Sequence, residues 1–155
     1  MPVFQVRSAE TQLLHFPPLG KLNSFLPLFC AKLPGVAGDT VCVDAECCVA
    51  NRGYPRHAFV GSSLRVATSP VLAPMGFMPG QPVSAENGVN VAPRALDIGD
   101  VYATIHKAAV FTQPADEAYV IFYLWARSNG ATEKDSLEIP GGWYAIMQGH
   151  TYKPS

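Results

Sequence analysis

Cys30, Cys42, Cys47 and Cys48 are the side chains of this sequence with the most reactive chemistry open to them, and their spacing limits what it is. A structural zinc site takes four ligands, usually as two close Cys or His pairs. Cys42 and Cys47 are separated by four residues and no second pair stands behind them, so no metal is expected. The neighbours Cys47 and Cys48 could close on each other only through a strained bond. On a strand, Cys47 points with the surrounding valines while Cys42 and Cys48 point the opposite way. The expected state is reduced and structural. Any bridge would join Cys42 or Cys48 to Cys30 or to another chain.

The other reactive residue types do not form catalytic groups. His15, His57, His106 and His150 are scattered, with no paired-histidine motif among them. Ser62 and Ser63 follow Gly61 without the second glycine of a nucleophile elbow, and Asp97 and Asp100 flank Gly99 in what reads as a turn. Gly35-Val36-Ala37-Gly38 lacks the lysine of a phosphate-binding loop. The sequence therefore predicts no enzyme, no cofactor and no small-molecule ligand. Arg52, Arg56 and His57 surround Tyr54 in a basic segment, which suits either a solvated loop or a contact with an acidic neighbour.

Strands are the elements this sequence favours. Residues 2–6 suit a short strand. From Val41 to Val49 apolar residues alternate strictly with Thr40, Cys42, Asp44, Glu46 and Cys48, the pattern of a half-buried strand or of a hairpin bent at Asp44-Ala45-Glu46. His57–Thr68 gives another strand with Gly61 as a candidate bulge, and Val101–Phe111 alternates again. Trp143–Met147 follows a Pro-Gly-Gly turn. Tyr119–Ala126 has no polar face, so it predicts a central strand covered on both sides. One exception is expected: apolar residues at 22, 25, 26, 29, 30 and 33 fall at helical spacing, predicting a short helix over 25–33 capped by Ser24 and stopped by Pro34-Gly35. Residues 69–99, dense in proline and glycine yet carrying Val71, Leu72, Met75, Phe77 and Met78, read as an arm laid on a neighbour or as a long crossover loop on the chain's own sandwich.

These elements compose one domain over residues 1–155: a mainly β, antiparallel sandwich of jelly-roll type, with one short N-terminal helix and a Pro-rich arm at about 69–99. Its composition is unusual. Hydrophobic residues make up 48% of the chain and charged ones only 15%, against about a quarter charged in ordinary soluble domains. Much of the surface must then be neutral, which is best explained if other protein covers it. The expected interface is the arm residues Val71, Leu72, Met75, Phe77 and Met78, the outward parity Ile121, Tyr123 and Trp125, and the basic pair Arg52 and Arg56. With 11 basic and 12 acidic residues, net charge −1, nucleic acid is not an expected partner. The longest apolar run, Ala118–Ala126, is far short of the roughly 20 residues of a membrane-spanning helix, and no membrane partner is expected.

In style, a small neutral-surfaced β-sandwich with an apolar arm resembles the accessory proteins of virus particles that decorate or cement a capsid or join its neck. The resemblance rests on architecture and composition, with no motif behind it. It implies a structural subunit whose partners are copies of itself or a major shell protein, made in the cytoplasm and carried in a virion or other extracellular particle. The rival reading is a carbohydrate-binding sandwich that stacks sugars on Trp125, Trp143 and Tyr144. A small enzyme comes third.

Overall fold

The computed structural model describes residues 2–7, 12–15, 25–51, 58–70, 80–85, 87–91, 101–127, 136–139 and 145–154. Eleven strands account for most of them: β1 (Val3–Arg7), β2 (Gln12–His15), β3 (Leu26–Lys32), β4 (Thr40–Asn51), β5 (Ala58–Ala67), β6 (Gln81–Pro82), β7 (Asn87–Val91), β8 (Val101–Thr112), β9 (Tyr119–Arg127), β10 (Ser136–Ile139) and β11 (Ala145–Tyr152). They form two antiparallel sheets. The first has the order β1-β11-β4-β10-β2 with β8 also on β4, and the second β3-β9-β5-β6 with β7 also on β5.

Register reduces these strands to longer lines. Because β8 pairs with β4 along its whole length, β11 and β10 must both lie on β4's other side, end to end. β1 and β2 continue outward from them in the same way. In the second sheet β9 fills one side of β5, so β6 and β7 follow one another along the other. Each sheet is thus four lines wide, and only β5 and the β6–β7 line are sheet neighbours joined directly in sequence. All other successive lines alternate between the sheets.

A single apolar cluster joins the two layers. Val41, Val43, Ala45, Cys47 and Val49 of β4 meet Val120, Phe122 and Leu124 of β9 and Val60, Leu64 and Val66 of β5 in one buried core. The alternation read along 40–49 has its cause here, since every second side chain of β4 points inward. β4 runs unbroken through Asp44-Ala45-Glu46, which decides for the strand over the hairpin.

Two expectations need correction. Residues 25–33 do not form a helix: Leu26–Lys32 is the edge strand β3, paired to β9. A β-bulge between Pro27 and Phe29 explains the misleading spacing. Leu26 pairs with Leu124 and Phe29 with Phe122, so the extra residue stretches a two-residue period to three and imitates a helical turn. Pro27, which cannot donate to a ladder, sits on the edge strand beside the bulge, as proline in sheets does. Gly61 is not a bulge either. It pairs in continuous register with Trp125 and Gly88, and its bare backbone makes room for the Trp125 ring, which would lie 2.1 Å from any Cβ placed there. Of the two readings of residues 69–99, the described part follows the second, since Gln81–Pro82 and Asn87–Val91 pair with β5 of the chain's own sheet. Val71, Leu72, Met75, Phe77 and Met78 lie outside the described residues, as does Ser24.

The loops at one end of the sandwich are tied together by polar contacts. Gln113, almost fully buried, accepts from Gly38 N–H at 3.0 Å and donates its own N–H to the Asp39 carbonyl at 2.8 Å. Its side-chain Nε2 donates to the carbonyls of Gly35 and Ala115, both at 2.9 Å. The Asp39 carboxylate accepts from Val36 N–H at 3.0 Å, and Asp116 from Ala37 N–H at 3.0 Å. The β3–β4 connection is thereby locked to the β8–β9 connection, satisfying backbone groups that would otherwise be left without partners.

β9 lies between β3 and β5 and is buried from Val120 to Ala126 on both parities. Phe122 carries the inner face, with Phe29 stacked on it at 6.4 Å and 15° between ring planes. Phe122→Ala is expected to lower the unfolding free energy by about 3–5 kcal/mol, measured as a fall in the urea midpoint at unchanged slope. A loss below 1 kcal/mol would mean the ring is not at the centre of the core.

Candidate interaction surface

The expected interface residues divide into two groups. Arg52 and Arg56 join the arm residues outside the described segments. Ile121, Tyr123 and Trp125 are described, and the chain itself buries them, with 0%, 0% and 6% of their surface exposed. They face away from the shared core, on the outer side of the second sheet, and are not available to a partner as the sequence led us to expect. Trp125 packs edge-on to Phe25 at 6.5 Å and tilted against Phe59 at 5.4 Å. A sugar-stacking role for it fails on the same ground, because stacking needs an exposed ring face; Trp143 and Tyr144 lie outside the described residues. Burial also pushes the Tyr123 hydroxyl up to about 12, with Cys30 raising it further and Arg65 lowering it.

The exposed apolar side chains lie elsewhere. Among the described residues the large hydrophobic side chains left in solvent are Val3 (73%), Val110 (67%), Val36 (44%) and Tyr152 (42%). Register brings three of them together. Val110 of β8, Cys42 of β4, His150 of β11 and Val3 of β1 are cross-strand partners in one row. Thr112, Thr40 and Tyr152 form the next row toward the end of the sheet. Val36 stands in the adjoining β3–β4 loop, which the Asp39 and Gln113 contacts hold beside that end.

This is the outer face of the first sheet, and its character changes along the strands. The rows through Thr40 and Cys42 contain no Asp, Glu, Lys or Arg. The following rows carry Asp44, then His106, Glu46 and Arg7. His106 Nε2 is in hydrogen-bond contact with Asp44 Oδ1 across β8 and β4. An open depression of about 530 Å³ adjoins the neutral rows, bordered by Val3, Phe4, Gln5, Asp44, Gln148 and His150. Its rim is braced by a Gln5–Gln148 side-chain hydrogen bond of 3.2 Å and by the His150 and Tyr152 rings stacked at 6.1 Å.

This patch was missed in the sequence because its members come from four strands far apart in the chain. One signal was present: in the alternation of 101–111, Val110 follows Ala108 on the parity that Tyr102, Thr104 and His106 begin, so the outer face of this strand turns apolar toward its end.

None of the four cysteines is joined in a disulfide in this structure. Cys42 and Cys48 lie on the outer face of the first sheet, whereas Cys30 pairs with Ile121 on the outer side of the second. Two sheets stacked about 10 Å apart separate them, beyond the reach of a disulfide, so an intrachain bridge from Cys30 to Cys42 or Cys48 is excluded. Cys47 is buried in the core, and desolvation, then Cys48 and Glu46, push its thiol up to about 12. Among the described residues no group of three His, Cys, Asp or Glu is placed to hold a metal.

No family model matches this chain, and no curated protein is similar to it in sequence. Similarity appears in three dimensions. The structure of infectious bursal disease virus Gx strain superposes with a TM-score of 0.58 over 96% of this chain at 11% identity. The Gt strain structure gives 0.55 over 97% at 12%. A mutant VP2 protein of the same virus, from derived T=1 particles, gives 0.55 over 96% at 13%. The chain spans about a third of the length of these structures, 33%, 31% and 31%. At such identities the likeness is one of fold: two antiparallel sheets arranged as in a viral capsid protein.

The Cys47 thiol yields a prediction for alkaline stability. Its proton is held more tightly in the folded chain than at the ordinary value of 9.0, so the unfolded state ionises first. Its stabilising effect is fully present below pH 9 and shrinks as the pH rises toward 12. Urea midpoints should fall between pH 8 and pH 10.5, and Cys47→Val should reduce that fall. An unchanged slope in the variant would show that Cys47 titrates as an exposed thiol.

Proposed function

We propose that this chain is a structural subunit of a virion, an accessory protein that decorates or cements a capsid or builds its neck, and that it has no enzymatic role. The supporting observation is the fold itself. Lines running in chain order through alternating sheets, with four lines in each layer, support the reading of an eight-line jelly roll, and structures it resembles along nearly its whole length include those of a virus and its VP2 particles. Composition supports the same reading. A chain with 15% charged residues and three exposed apolar side chains gathered on one sheet face gains from neighbours what it lacks in solvation.

In this reading the partners are further copies of the chain, a major shell protein, or both. The test is composition of the particle. Quantitative mass spectrometry of particles purified from the native source should find the chain at a fixed ratio to the major shell protein, retained through a density gradient. Its absence from purified particles, or recovery only in the soluble fraction, would overturn the proposal.

A further inference from the structure

We propose that Asp39, Gln113 and Thr151 form a binding site for a hard metal cation of the calcium class, at the end of the sandwich where the β3–β4 and β8–β9 connections meet β11. The site lies within one chain and stands apart from the assembly reading.

Three oxygens converge there. A Cβ built on Gly35 would stand 2.6 Å from Asp39 Oδ2, 2.9 Å from Gln113 Oε1 and 3.1 Å from Thr151 Oγ1, so the three border a hollow that only glycine leaves open. Asp39, Gln113 and Thr151 are 7%, 1% and 1% exposed. Among the described residues, Gln113 Oε1 and Thr151 Oγ1 have no hydrogen-bond partner, although buried polar groups nearly always find one. Turning the Gln113 amide would not relieve this. Its Nε2 hydrogens go to the Gly35 and Ala115 carbonyls, both at 2.9 Å, which fixes Oε1 toward the hollow. Asp39 Oδ2 accepts from Val36 N–H and has lone pairs to spare. A carboxylate oxygen and an amide oxygen thus face one space, and the single hydrogen of the Thr151 hydroxyl can serve only one of them.

A bridging water would also join these atoms, but charge favours a cation. The two connections, residues 33–39 and 113–118, contain Asp39, Asp116 and Glu117 and no Lys or Arg. Lys153 reaches Asp39 from solvent, 81% exposed, at 3.7 Å from the other carboxylate oxygen, Oδ1, so Oδ2 keeps its charge toward the hollow. The donor set is all oxygen, without the nitrogen and sulfur that zinc favours. Calcium accepts an irregular oxygen shell at about 2.3–2.6 Å completed by water, whereas magnesium demands a tight octahedron at about 2.0–2.1 Å. With one carboxylate the affinity belongs at the weak end of calcium sites, at about 10⁻⁴–10⁻³ M. A bound ion would tie β11 to the two connections that Gln113 already joins.

Urea unfolding of the purified chain in EDTA, in 10 mM CaCl2, in 10 mM MgCl2 and in NaCl of matched ionic strength tests this. Thr151→Val and Asp39→Asn are measured alongside, each shown to be folded by circular dichroism. For a Kd of about 1 mM, calcium should lower the unfolding equilibrium constant of the wild type about tenfold, with magnesium and NaCl close to EDTA. T151V removes a hydroxyl that has no partner among the described residues, so in EDTA it should be at least as stable as the wild type while losing most of the calcium increment. D39N should lose all of it. A calcium response no larger than that of NaCl overturns the proposal and leaves water as the bridge. A wild-type response retained in either variant overturns it too, by placing the ion elsewhere. A magnesium response equal to that of calcium overturns the calcium class.

Discussion

A strand with no polar face forces the rest of this architecture. Along β9, Val120 to Ala126 present apolar or aromatic side chains on both parities, and all seven are buried. The inner parity is covered by the opposing sheet through Val43, Ala45 and Cys47 of β4 in the common core. For the outer parity the protein makes space in its own second sheet, and Gly61 is the clearest sign of it, with the Trp125 ring where a side chain would stand. At about 25 cal/mol per Å² of apolar surface, a doubly covered strand of aromatic and branched residues is a large favourable term for a domain of this size. It also commits both sides of the second sheet, and among the described residues Val3, Val110 and Tyr152 leave apolar surface in solvent on the outer face of the first.

The remaining stability comes from tying distant loops together. The chain crosses between sheets at nearly every connection, so few of its strand pairs are local and the entropy of loop closure must be met before pairing repays it. The Gln113 and Asp39 contacts between the β3–β4 and β8–β9 connections hold two such crossings at the same end. They also hold Val36 and the ends of β4, β8 and β11 in one place, which is where the exposed apolar side chains gather.

Much of this fold was legible in the sequence. Period-two alternation over 40–49 and 101–111, and the unbroken apolar run at 119–126, follow from single strands meeting a core, and one strand's pattern is enough to reveal it. The helix expected at 25–33 failed because a bulge at Pro27–Phe29 changes the apolar period from two to three, which spacing alone cannot separate from a helical turn. Of the interaction surface only the parity of Val110 was legible. Val3, Cys42, Val110 and His150 form one row only after four strands take their register, whereas Ile121, Tyr123 and Trp125 attracted attention as apolar residues with no assigned cover. Local pattern reports that a side chain is buried, not which part of the chain or which neighbour buries it.

The division between a sheet covered by its own chain and a sheet left open is the central claim. Hydroxyl-radical footprinting of the isolated chain, at a concentration where it sediments as a monomer, tests it most directly. Oxidation should be strong at Tyr152 and Val110 and near background at Tyr123 and Trp125. Strong oxidation of Tyr123 and Trp125 in the monomer, lost only on assembly, would contradict it by showing that another chain supplies the cover of the second sheet.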